Sequence, residues 1–136
     1  MHNLIKQIQA DNYTFCEDSV NPDFLSACQS YLQDTYQIKL PKDYCLLVKY
    51  ANGLHSPLAT IFGIMPETIS DLISANEDNQ MFDKNNYLIL GYNNFDWLVY
   101  NQEKNCYQTY DKHDYMLLDT YADLKTVIEH WFVIPD

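Results

Sequence analysis

Arginine is missing altogether: the eight basic residues are all lysine, set against nineteen Asp and Glu. The planar guanidinium fork that grips phosphate or carboxylate in two places is therefore unavailable. The net charge of -11 also opposes the cationic neutralisation of phosphate on which nucleic-acid binding rests. DNA, RNA and anionic membrane surfaces are poor partners by sign alone, and a cationic partner is favoured. Glycine is scarce as well. Gly53, Gly63 and Gly91 stand singly, so no clustered-glycine loop exists to bring backbone N–H groups around a nucleotide phosphate. The four cysteines, Cys16, Cys28, Cys45 and Cys106, form no Cys-x-x-Cys pair, which removes a zinc ribbon and a thioredoxin-like redox site. His2, His55, His113 and His130 are scattered too far apart in sequence for paired zinc ligands. No apolar run approaches the eighteen or so residues of a membrane span. Lys6, Gln7, Gln9 and Asp11 interrupt the apolar centre that a secretory signal needs. The expectation is a reducing cytoplasm with free thiols, and neither cofactor nor metal.

What is present is enough for one domain spanning residues 1–136. The chain has 136 residues, 47% of them hydrophobic, and buries roughly two-thirds of its unfolded surface without needing disulfides or metal. Leu4, Ile5 and Ile8 share a face of a short first helix. Asn21-Pro22-Asp23 is a helix start with a cap, a proline in the first turn and an acid beside it. Phe24, Cys28, Tyr31, Leu32 and Thr35 follow at helical spacing, and the helix should end near Tyr36. Leu40-Pro41-Lys42-Asp43 opens another, with Tyr44, Leu47, Val48 and Ala51 inward and Asn52-Gly53 as the stop. Leu58 to Ile64 reads as one or two short strands. Pro66 and Glu67 start a third helix with Ile69, Leu72 and Ile73 inward, and the polar run Asn76 to Asn86 is a loop. Tyr87–Tyr92 and Trp97–Tyr100 read as central strands around the turn Asn93-Asn94-Phe95-Asp96. Cys106–Tyr110 alternates more and predicts a strand with one solvent face, and Tyr115–Leu118 a further strand after the turn at Lys112 to Asp114. Thr120 with Asp123 resembles a capping box before a last helix carrying Leu124, Ile128, Trp131 and Phe132. Helices first and an antiparallel meander later define an α+β class.

Catalytic patterns are missing. Asp111, His113 and Asp114 place two hard carboxylates and an imidazole within one turn, as a divalent metal ion would require, but a solvated hairpin turn accounts for the same residues. Cys45 is a conceivable nucleophile on an otherwise apolar helix, where a small buried thiol is the commoner role. Nineteen acids make close carboxylate pairs inevitable, so no pair marks itself as a general acid and base. Aromatic richness is the positive signal: 15% of the chain, with twelve Tyr. Rings lie beside acids at the predicted turns, and the candidate partner-binding set is Tyr92, Asp96, Tyr110, Asp111, Asp114 and Tyr115. Tyr offers large contact area with a polar tip at modest entropy cost, which suits protein recognition. Sheet proteins also use Tyr simply to pack on their cores.

The run Leu40-Pro41-Lys42-Asp43-Tyr44-Cys45-Leu46-Leu47-Val48-Lys49-Tyr50-Ala51-Asn52-Gly53 resembles the opening motif of the SUKH superfamily, in which Leu-Pro-x-Asp-Tyr leads through an apolar helix to Asn-Gly. Ile61-Phe62-Gly63-Ile64, Leu88-Ile89-Leu90-Gly91, Trp97-Leu98-Val99-Tyr100 and the ending through Trp131-Phe132 are similar to that family's later elements, so the resemblance runs from about Asn21 onward. Leu54 departs from it, standing where many members carry a second glycine. The resemblance implies a single α+β domain with a largely antiparallel mixed sheet flanked by helices, used for binding and not for catalysis. Bacterial members are immunity proteins that block a cognate toxin domain, often a nuclease, in the cytoplasm. Fungal members are regulators, so a housekeeping scaffold domain is the alternative, and a small hydrolase or ligand-binding enzyme is a further one. The family's Pro41, Gly53, Gly63 and Gly91 positions are structural, and it has no catalytic residues to carry over.

Overall fold

Asn21 stops the extended chain and starts a helix by accepting the Asp23 N–H on its side-chain oxygen, 2.8 Å away, with Pro22 supplying a preset φ. From such local signals the computed structural model, which describes residues 1–10, 14–16, 19–64 and 71–132, builds five helices and seven strands. In chain order these are α1 (His2–Ala10), β1 (Phe15–Cys16), α2 (Pro22–Tyr36), α3 (Lys42–Tyr50), β2 (Leu54–His55), β3 (Ala59–Ile61) and α4 (Leu72–Glu77). β4 (Tyr87–Asn93), β5 (Asp96–Asn101), β6 (Cys106–Asp111), β7 (Leu117–Tyr121) and α5 (Leu124–Phe132) complete the described chain. The strands form one sheet in the order β1 to β7, with every neighbouring pair antiparallel. The parallel component among the described residues is a single bridge between Gly63 and Asp71. The α+β architecture and the carboxyl-terminal meander are as the sequence pattern predicts.

α1, α3 and α5 pack on one another and bury Leu4, Ile5, Ile8, Tyr44, Leu47, Val48, Leu124, Val127 and Ile128. The core continues onto one face of the sheet through Ile61, Leu98 and Tyr107. Tyr44 reaches across to donate its hydroxyl to the Phe62 carbonyl at 2.5 Å, and burial holds its pKa well above the ordinary value. Asn76 on α4 completes the sheet where β3 stops short of β4. Its side-chain amide donates to the Ile89 carbonyl (2.9 Å) and its oxygen accepts the Ile89 N–H (2.8 Å), so one side chain takes the place of a missing strand.

Several expectations are corrected. The buried stripe of α2 is Leu25, Cys28 and Leu32, while Phe24, Tyr31 and Thr35 face outward. Aromatic hydrophobicity misplaced the stripe, because a folded surface commonly keeps large apolar side chains partly exposed. The helix expected from Pro66 and Glu67 has its start, with Ile69, outside the described residues. The described helix begins at Leu72, capped by Asp71, whose carboxylate accepts the Ser74 N–H. Cys106–Tyr110 is not half-solvated, since Tyr107, Gln108 and Thr109 are all buried. Thr120 is a β7 residue paired with Gln108. The cap of α5 is Asp123, which accepts the Thr126 N–H at 2.8 Å and its hydroxyl at 2.7 Å. After α3, the residue with positive φ is Gly53 (106°), two places beyond an extended Ala51 cap. α2 instead closes on a left-handed Gln37 with no glycine. Among the described residues no helix is long and apolar enough to cross a membrane.

Candidate functional site

Side chains alternate across a strand, so the register sorts β5 and β6 into two chemistries. Leu98 and Tyr100 pair with Thr109 and Tyr107 on the face toward the helical core. Trp97, Val99 and Asn101 pair with Tyr110, Gln108 and Cys106 on the opposite, outer face. That outer face carries amides and rings around the aliphatic pair Val99 and Ile89. Asn86 donates to Asn101 (3.2 Å), Asn101 to Gln108 (3.1 Å), and Gln108 to Thr120 (3.5 Å), a chain of amides crossing β5, β6 and β7. The Tyr110 hydroxyl donates to the same Gln108 oxygen at 3.0 Å, and burial with the neighbouring Tyr87 pushes its pKa up to about 12. A hydrogen-bonded floor of this kind is rigid, because each amide fixes the next.

Rings cover the rest. Phe82 packs against Tyr87, Tyr110 and Tyr115 at centroid distances of 5.8, 5.1 and 5.8 Å. Tyr92 sits between Phe62 (5.8 Å) and Trp97 (5.9 Å). Between these groups the segment after α4 leaves a groove of about 390 Å³, walled by Phe62, Met81, Phe82, Ile89, Tyr92, Trp97 and Tyr115 and edged by Asp78 and Asn79. Asn79 is buried and shapes the rim by accepting the N–H groups of Met81 and Phe82 and donating to the Phe82 carbonyl.

The six candidate residues meet at one end of the sheet. Tyr92 is the last residue but one of β4, Asp96 opens β5, Tyr110 and Asp111 end β6, and Asp114 and Tyr115 lie in the turn before β7. The Lys112 N–H donates to the Phe95 carbonyl at 2.8 Å and ties the two turns together. Within this cluster the roles divide. Tyr92 and Tyr115 wall the groove, and Tyr110 backs it through Phe82. Asp96 and Asp111 stand opposite each other in register, on the alternation opposite to Trp97 and Tyr110. Asp111 is engaged by its own turn. One carboxylate oxygen accepts the N–H groups of His113 (2.7 Å) and Asp114 (3.1 Å), and these hydrogen bonds hold its pKa below the ordinary 3.8. Asp114 is exposed and accepts the Met116 N–H, and Tyr115 takes a left-handed φ of 59°.

Sequence reasoning missed Phe62, Met81, Phe82 and Trp97 as site residues. The available signal was Met81-Phe82, an apolar pair stranded in the polar run from Asn76 to Asn86. An apolar pair in a loop has to land on something, and here it lands on the outer face of the sheet. Cys45 is half-buried beside Gln29, and burial raises its thiol pKa against the opposing pull of Gln29 and Lys49, the reverse of an activated nucleophile. Cys28 is pushed up to about 12, chiefly by burial. Among the described residues no three His, Cys, Asp or Glu side chains gather as a metal site. No protein-family model matches this chain, and no curated protein matches it at a significant level.

Proposed function

We propose that this chain is a non-enzymatic binding domain of the immunity type, which occludes a cationic toxin domain in the cytoplasm by stoichiometric association. The observation that carries the reading is the outer sheet face: rigid aromatic walls around an open groove, on a chain of net charge -11. Aromatic anchors in a partly desolvated groove slow release, and a strong field of one sign speeds encounter with a partner of the other. The resemblance of Leu40–Gly53 to the SUKH opening motif supports the same reading. Tyr92, Tyr110 and Tyr115 serve as anchors or their backing, while Asp96, Asp111 and Asp114 supply charge at the same sheet end.

The test is capture of candidate toxin domains by the tagged chain, with salt-gradient elution and an assay of toxin activity in the eluted complex. The expected outcome is a basic partner held in fixed stoichiometry, released by salt and inactive while bound. The combined variant Asp96→Asn, Asp111→Asn, Asp114→Asn keeps the hydrogen-bond acceptors of the turns. It should weaken binding about tenfold at low salt and much less at high salt. Repeated recovery of a non-toxic cellular protein would replace the immunity reading with a scaffold role.

A further inference from the structure

The rings of Tyr92 and Trp97 already carry a cation. Lys112 places its ammonium nitrogen 4.2 Å from the Tyr92 centroid and 5.1 Å from that of Trp97. Both distances lie inside the range in which an aromatic face attracts a positive charge. Burial against these rings pulls the Lys112 pKa down while Asp96 pulls it up, and burial is the larger effect. The same two rings form part of the groove wall, and among the described lining residues the one that is charged is an acid, Asp78. An outside cation therefore meets an acidic rim and two ring faces that already hold a cation of the chain's own.

We propose that the aromatic groove seats a Lys or Arg side chain from a basic segment of the partner protein, which takes over the Tyr92 and Trp97 faces from Lys112. This rests on the binding reading above and names the chemistry its partner brings to the site. The exchange needs no backbone movement. The Lys112 N–H remains bonded to Phe95, the Asp111 turn remains closed, and the freed ammonium has Asp96 nearby. One cation–π contact replaces another, so the exchange itself is nearly neutral, and the remaining groove contacts decide affinity. Lys112 then acts as an internal competitor that keeps weakly basic sequences out. An arginine, which stacks as well as attracts, displaces it better than a lysine does.

The experiment uses the whole chain and a hexa-arginine peptide as probe. Affinity is read by calorimetry, and the site by the indole N–H resonance of Trp97, assigned with Trp97→Phe. The peptide should shift the Trp97 resonance and leave that of Trp131 in place. Lys112→Ala should bind about fivefold tighter than the unaltered chain. Lys104→Ala is the control: it changes net charge equally, from an exposed turn at the far end of β5 and β6, and should stay within about twofold. Equal tightening in both variants would mean long-range charge alone and would overturn the proposal, as would shifts confined to Trp131. Trp97 shifts that depend on protein concentration without peptide would assign the groove to a second copy and overturn it too. Peptide binding with the expected pattern, but no capture of any cationic toxin domain, sinks the immunity reading and leaves the groove chemistry standing. Capture of a toxin with Trp97 unperturbed does the reverse.

Discussion

At Gly91 a side chain has nowhere to go. A Cβ built there would lie 2.2 Å from the Thr60 carbonyl oxygen, and Thr60 is the residue of β3 that pairs with the adjacent Tyr92. The obstacle is backbone, so no rotamer change relieves it. Gly53 is a milder case: its φ of 106° disfavours any side chain, but its nearest contacts are at 3.1 Å. Gly91→Ala should cost about 3 kcal/mol by forced overpacking, and Gly53→Ala about 1–2 kcal/mol by backbone strain. Urea denaturation of both variants checks the order; a Gly53→Ala variant less stable than Gly91→Ala would mean that β3 and β4 separate easily. These contacts give each glycine a physical reason to be where it is in this chain.

For a single element, the last helix gives the clearest case. Asp123 caps α5 through both Thr126 donors, which bind the charged carboxylate and hold its pKa below the ordinary 3.8, the side-chain hydroxyl first and the backbone N–H second. Because the folded-state pKa is depressed, the cap contributes fully above the ordinary value and is lost as pH falls through the lower one. Asp123→Ala should therefore cost about 1 kcal/mol near neutral pH, and the difference from the unaltered chain should shrink on acidification below pH 3.8. Asp123→Asn should keep most of the neutral-pH stability, since Asn caps without charge. Urea midpoints for the three chains along a pH series give the measurement. The exposed ion pair Lys125–Glu129, 3.8 Å apart on the same helix, adds only a few tenths of a kcal/mol. The edge strand β7 exposes Leu117 and Leu118, next to Met116, and is guarded by a register shift at Thr109/Tyr110 and by Asp119.

Across the whole molecule, nineteen acids against eight lysines make self-repulsion the dominant long-range term. Raising sodium chloride from low concentration to about 0.5 M should raise the thermal midpoint by a few degrees, because screening relieves repulsion in the compact state more than in the expanded one. The same salt should weaken binding to a cationic partner. A midpoint that falls with salt would show attractive pairs outweighing the net charge.

The sequence alone determined the class and most of the elements. Helix starts such as Asn21-Pro22, the alternating and apolar runs of the meander, and the sign of the charge are local or additive properties, readable without knowing what touches what. Tyr92, Tyr110 and Tyr115 could be picked as candidates because they sit at turns. Only the tertiary structure decided that Tyr92 and Tyr115 share a groove with Phe62, Phe82 and Trp97 while Tyr110 stands behind Phe82, that Asn76 substitutes for a strand, and that Lys112 lies on the rings. Those facts depend on strand register and on where the 78–86 segment folds back, which are set by contacts between residues far apart in the chain and leave no periodic trace in it.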